Sequence, residues 1–156
     1  MAANDIDTLR SIPLFAGLSE QELRNLAAIV RRASYPKGTQ IFAEGDPGDA
    51  LYLVEAGKVR ISKVLSGVGE EALAIFGPGS VFGEMAVLDG GRRSADAIVH
   101  EDARLVVIDR DRFLALLRED KELAVQVLSE FVRSLAGRVR EMNDKVFAFY
   151  VLAAFT

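Results

Sequence analysis

The sequence predicts a mainly β protein with flanking helices: an eight-stranded antiparallel β-roll or jelly roll, with an N-terminal helix and C-terminal helices around it. Three observations predict it. Between Tyr35 and Asp109 about eight short segments follow at close spacing, parted by glycine-bearing turns. Before them, Leu23, Leu26, Ala27 and Val30 recur at helical spacing. From Asp111 a second helical pattern runs to the end of the chain or nearly so.

The totals bound the function. The chain has 156 residues, of which 50% are hydrophobic and 27% charged, the profile of one soluble globular domain. It holds no run of ~18 apolar residues to span a membrane, and its first residues do not have the layout of a signal peptide. A cytoplasmic protein is expected. A net charge of −4 argues against direct nucleic-acid binding, which needs a basic surface. With no cysteine and one histidine, His100, no disulfide and no metal site is expected. No nucleophile stands at a meaningful spacing from a base, so no enzyme and no catalytic residue is expected.

In chain order, residues 1–18 read as an N-terminal arm. Ser19 with Glu22 makes a capping box, and Leu18 with Leu23 a hydrophobic staple, for a helix over about 20–31. The roll covers about 35–109. Residues 40–43, 51–54 and 58–65 read as strands, the last two parted by Ala56-Gly57. Residues 71–76 return, and 96–100 and 104–108 are two further strands joined by Glu101-Asp102. Gly45, Gly48 and Gly57 read as structural, in turns that need a positive φ. C-terminal helices occupy about 111–145 and complete a domain over 19–145. Asp109 or Asp111 caps the first helix and Asp120 the second. In the second, Ala124, Leu128, Phe131, Leu135, Val139, Met142 and Val146 approach a heptad seam with one irregularity. The seam either joins two copies or packs on its own barrel; a homodimer is favoured. The tail, 146–156, is apolar and uncharged. It would pack on a partner subunit, close over a pocket, or be the cut end of a longer chain.

The chemistry gathers in Gly83-Glu84-Met85-Ala86-Val87-Leu88 and, after a short loop, Arg93-Ser94-Ala95. Gly83 lets a ligand approach the backbone. Glu84 offers acceptors to a sugar hydroxyl. A helical turn from Glu84 to Leu88 would present unpaired N–H groups to an anion. Arg93 brings a planar, permanently charged fork. The set suits a sugar fused to a phosphate. Taken singly, Gly83 suits a turn, and Glu84 with Arg93 a surface ion pair; the combination favours the pocket.

Here the run VFGEMAVLDGGRRSADA resembles the phosphate-binding cassette of cyclic-nucleotide-binding domains, the family that includes the catabolite activator protein and the regulatory subunit of protein kinase A. The ten-residue step from Gly83 to Arg93 is the family's, and IFAEGDPGDALYLVEAGKVRISK resembles its second hallmark. The resemblance covers about residues 12–142. It implies a receptor for a cyclic nucleotide, cAMP first and cGMP open. Arg93 would pair with the cyclic phosphate, and Ser94 would add a hydrogen bond. Glu84 would accept from the ribose 2′-OH, and the backbone of Gly83, Met85 and Ala86 would complete the cradle, with Ala95 closing the motif. Val64 or Ile75 would border the base. Arg138 would either reach over the base from the C-terminal helix or simply be solvated. Two positions depart from the pattern: Arg92 stands where many members have proline, and Asp96 where threonine or an apolar residue is usual. The resemblance also implies a C-terminal helix that moves on binding and pairs with its copy. The chain stops where a helix-turn-helix would begin in the bacterial regulators, so a sensing module with an unknown effector protein, or the sensing half of a truncated transcription regulator, is expected. The remaining alternative is a nucleotide-free protein-interaction domain of the same fold.

Overall fold

Two breaks in the sequence pattern decide the strand count. The computed structural model describes residues 2–156, with side chains from residue 5 onward. It contains six strands: β1 (Val30–Tyr35), β2 (Gln40–Phe42), β3 (Ala50–Leu65), β4 (Gly69–Phe76), β5 (Val81–Phe82) and β6 (Asp96–Asp109). Where eight strands were expected, β3 runs straight through Ala56-Gly57, and β6 through Glu101-Asp102. The two breaks face each other across the ladder, where Ala56 pairs with Arg104 and Lys58 with Glu101. Facing turn signals become a bulge in a continuous strand pair. Gly57 has φ +81°, and a Cβ there would lie 2.1 Å from the Asp102 carbonyl oxygen, so only glycine fits.

The strands form one antiparallel sheet in the order β1-β6-β3-β4, with β2 added on β6 and β5 on β3. Side chains alternate across a strand. Leu51 and Leu53 therefore face the helices, while Ala50, Tyr52 and Val54 face the inside of the roll; both sets are buried. This is why β3 begins as an unbroken apolar run. The helix-side core joins Leu51, Leu53 and Ile108 to Phe15, Leu23, Phe113 and Leu123. The roll interior is filled by Tyr52, Val59, Phe82, Val99, Leu105 and Val107.

The N-terminal segment departs from a free arm. A helix, α1 (Ala2–Ser11), and a 3-10 turn (Pro13–Phe15) pack into the helix-side core, burying Leu9, Ile12 and Phe15. Buried Asp5 pairs with Arg32 of β1. Met1 lies outside the described residues. α2 (Glu20–Ala27) opens with the capping box: Ser19 accepts from the Glu22 N–H, and Glu22 accepts from the Ser19 N–H. It stops earlier than the periodicity suggests, because Val30 and Arg31 are already strand, paired with Ile108 and Val107.

After the short α3 (Glu84–Asp89) and β6 come α4 (Arg110–Glu119) and α5 (Lys121–Ala154). The Asp120 side chain caps α5 by accepting from the Leu123 N–H. α5 has 34 residues, about 50 Å at 1.5 Å per residue. It passes through Gly137 without a break and takes in most of the 146–156 tail, so helix and tail are one rod. Its faces sort the expected seam differently. Ala124 and Phe131 are buried in the helix-side core with Leu123 and Val127. The outer face carries Val125, Leu128, Val132, Leu135, Val139, Met142, Val146 and Phe149, in strict steps of three and four. The irregularity came from mixing the two faces. No described helix is long and apolar enough to cross a membrane.

Candidate ligand-binding site

The cassette residues come together at one end of the roll, in a cleft of about 380 Å³ between α3, the loop to Arg93, β4 and the middle of α5. A cleft of this size falls in the usual range for small-ligand sites. Gly83, Glu84, Met85, Ala86, Arg93, Ser94, Ala95 and Arg138 all line it.

Gly83 starts α3 with φ +78°. A Cβ there would come within 2.8 Å of Arg93 Nη1. The missing side chain thus makes room for the guanidinium, which donates from Nη1 to the Gly83 carbonyl at 2.7 Å. Nη2 donates to the Ala50 carbonyl at 2.6 Å, and the group sits 4.1 Å from the centre of the Phe42 ring. The Arg93 side chain is 2% exposed, and its nearest carboxylate, Asp49, is 3.4 Å away and 79% exposed. Nε has no partner among the described residues. A buried cation that neutral carbonyls hold in place, and that an exposed carboxylate only weakly balances, favours an anion beside it.

The same end of the roll keeps Tyr52 a neutral phenol: burial, then the charge of Asp49, push its pKa up to about 12. Its ring stacks on Phe82, with centroids 5.1 Å apart, and fixes the wall behind Arg93.

Glu84 is buried although it carries a carboxylate. Arg138 of α5 explains this, donating from Nη1 to Glu84 Oε1 at 2.6 Å and from Nη2 to the Val81 carbonyl at 3.3 Å. Its guanidinium also lies 5.2 Å from the centre of the Phe76 ring. Of the two readings open for Arg138, the structure has it in the cleft, on the carboxylate expected to hold the sugar.

Gly48 is a spacer, which corrects the turn reading. It has no positive φ, but a Cβ there would lie 2.3 Å from Ala86 Cβ, so the 44–49 loop packs directly on α3. Asp96 points away from the anion end and accepts from the Glu44 N–H at 2.7 Å, bracing that loop. Arg92 lines the cleft and donates to the Gly45 carbonyl at 2.9 Å. Ser94 is exposed at the rim.

Val64 and Ile75 do not line the cleft; they are 68% and 51% exposed. The pleat explains this. Ile61 and its cross-strand partner Ala74 face the cleft, so Ile75, next to Ala74, faces away. Val64, three residues past Ile61, likewise falls on the other face. Leu73 also reaches in, because the pairing skips it at a bulge between Ala72 and Ala74. Sequence reasoning also missed Phe42, Glu141 and Lys145 as lining residues, and placed Met142 only in the seam. An aromatic ahead of the 44–49 loop is a weak signal for Phe42; no local signal marks a bulged leucine. Around the cleft Arg92, Arg93, Arg138 and Lys145 face Glu84, Asp89 and Glu141, an excess of one positive charge.

The model of the cyclic nucleotide-binding domain matches residues 32–120, more than half of the chain. The chain is 42% identical, over 86% of its length and 61% of the relative's, to a protein of Thermus thermophilus named cyclic AMP receptor protein. It is 33% identical, over 85% of its length and 58% of the relative's, to a CRP-like cAMP-activated global transcriptional regulator of Mycobacterium tuberculosis. Among solved structures, a cyclic nucleotide-binding domain from Methylobacillus flagellatus superposes with a TM-score of 0.79 at 31% identity, covering 92% of this chain and 80% of that one. The chain spans about three-fifths of the length of these curated relatives. The cassette, its buried arginine and the matched roll together place this chain in the cyclic nucleotide-binding domain family.

Proposed function

We propose that the chain is a cyclic-nucleotide receptor whose leading ligand is cAMP. The observation that carries this reading is Arg93: buried, held by two carbonyls and short of a counter-charge. The cyclic phosphate, a single negative charge, complements the excess of one positive charge around the cleft. Arg93 pairs with the phosphate, and Ser94 reaches it from the rim. Glu84 takes the ribose hydroxyl, with its geometry set by Arg138. The apolar wall of Ile61, Leu73 and Ala74 takes the purine in place of Val64 and Ile75. Arg138 links α5 to the sugar end of the ligand, so binding biases the position of α5. Such a switch needs the ligand to prefer one position of the helix.

The outer face of α5 supports a homodimer. Val125, Val132, Val139 and Val146 alternate with Leu128, Leu135, Met142 and Phe149, and β-branched residues at one seam position with leucine at the other favour two parallel strands. The names of the curated relatives, and the share of them that this chain spans, support a role as the sensing part of a transcription regulator.

Isothermal titration with cAMP, cGMP and 5′-AMP tests the site. Arg93→Ala should weaken cAMP binding by ~2–5 kcal/mol, the range for stripping one partner from a buried charge pair. This is a loss of roughly thirtyfold to several thousandfold. Equal affinities for the wild type and the variant would remove Arg93 from the site. A wild type that takes up no cyclic nucleotide would leave the protein-interaction reading.

A further inference from the structure

We propose that the chain has a second ligand site, for a small organic carboxylate, in a cavity that shares Arg138 with the nucleotide cleft. This cavity, of about 500 Å³, lies between the 3-10 turn Pro13–Phe15, the loop before β5 and the middle of α5. Its size suits a small ligand. Phe76, Glu84 and Arg138 line both spaces, so the ion pair of Arg138 with Glu84 is part of the wall between them. The outer-face residues of α5, Val125, Leu128, Val132, Leu135 and Val139, do not line it, so pairing through that face leaves it open.

Arg138 points to the ligand class. A guanidinium carries five N–H donors in a fixed fork. Glu84 accepts from Nη1 at 2.6 Å and the Val81 carbonyl from Nη2 at 3.3 Å; the other donors have no acceptor among the described residues. Val81 lines the second cavity and not the nucleotide cleft, so the Nη2 edge of the fork turns toward the second cavity. Arg133 lines the same cavity. Its side chain is 71% exposed, and its pair with Glu130 is a surface contact within one helix. Such pairs are weak, so Arg133 can turn to an incoming charge and leave Glu130 to water. Ser80 and Ser134 add hydroxyls, and Leu14, Val81 and Phe131 an apolar wall. Two arginines beside an apolar wall fit a carboxylate on a hydrocarbon body, since a guanidinium fork takes both carboxylate oxygens at once. An acid bound there shares the charge of Arg138 with Glu84, which leaves the Glu84 oxygens freer to accept from a sugar hydroxyl. This coupling rests on the receptor reading above; the site itself does not.

The test uses benzoate as the probe and benzamide, of the same shape but uncharged, as its control. Benzoate binding is read by saturation-transfer NMR, and cAMP affinity by titration at constant ionic strength. Benzoate should bind and benzamide should not. Saturating benzoate should tighten cAMP binding about fivefold or more, and by reciprocity cAMP should tighten benzoate binding by the same factor. Arg133→Ala should weaken benzoate binding about tenfold, the effect of losing one charged hydrogen bond. Ser134→Trp, which fills the cavity, should abolish it. Both variants should bind cAMP alone as the wild type does, which also shows that they are folded. The proposal fails if the wild type takes up no benzoate, if benzamide binds equally well, or if Ser134→Trp binds benzoate normally. It also fails if benzoate weakens cAMP binding, since the probe then sits in the nucleotide cleft. Benzoate binding that depends on Arg133 and Ser134, in a protein without cAMP affinity, would uphold the site and overturn the receptor reading.

Discussion

Arg93 and Gly83 act as one unit at the residue scale. The glycine lacks the atom that the guanidinium would strike, and the guanidinium holds the glycine's own carbonyl. Gly83→Ala should therefore do two things. It forces a side chain into the left-handed region, at about 1–2 kcal/mol, which lowers Tm by roughly 2–8 °C for a chain of this size. It also pushes Arg93 off its seat, so cAMP affinity should drop along with stability. A melting curve and a titration on the same sample check this. A variant that melts lower but binds normally would separate the two residues. Both were legible in the sequence, because a motif with fixed spacing reports backbone chemistry directly. Val64 and Ile75 were misplaced for the opposite reason. Which face of a strand looks inward depends on the bulge at Leu73, and a bulge is set by the pairing of two strands, not by either one alone.

The elements repeat this contrast. The capping box of α2 was readable because its two hydrogen bonds lie within four consecutive residues. The end of α2 was not, because Val30 continues the helical period yet finds a better partner on β6. Tertiary pairing overrides local periodicity. The same holds for α5, whose two apolar faces overlap in sequence and separate only once the helix-side core claims Ala124 and Phe131. The surviving outer face yields a test of its own. Val139→Glu puts a charge at the middle of the seam and far from the buried face. It should convert the proposed dimer to a monomer by light scattering and leave far-UV circular dichroism unchanged. A dimer that survives this change would mean that α5 pairs through some other face.

For the whole molecule, the proposed function makes the roll the fixed part and α5 the adjustable one. The buried residues of α5 lie in its first third, at Leu123, Ala124, Val127 and Phe131, in the helix-side core; beyond them Arg138 ties the helix to Glu84 and Val81. Ligand binding should show in global stability. At 100 times its Kd a ligand adds ~2.7 kcal/mol, which corresponds to a Tm rise of roughly 5–11 °C. No rise with any cyclic nucleotide, in a thermal-shift assay, would count against the receptor reading. The fold class was legible from strand spacing and the helical ends, and the strand count was not, because opposed turn signals merge across a ladder. Arg138 carries one more consequence. Glu84 already accepts from Arg138 of α5, so in the proposed reading an incoming sugar does not meet a bare carboxylate; it competes with an arginine carried by that helix. On the receptor reading, the concentration at which the molecule responds is thereby adjustable from outside the nucleotide's own footprint, by any change that makes that arginine a more or less willing occupant.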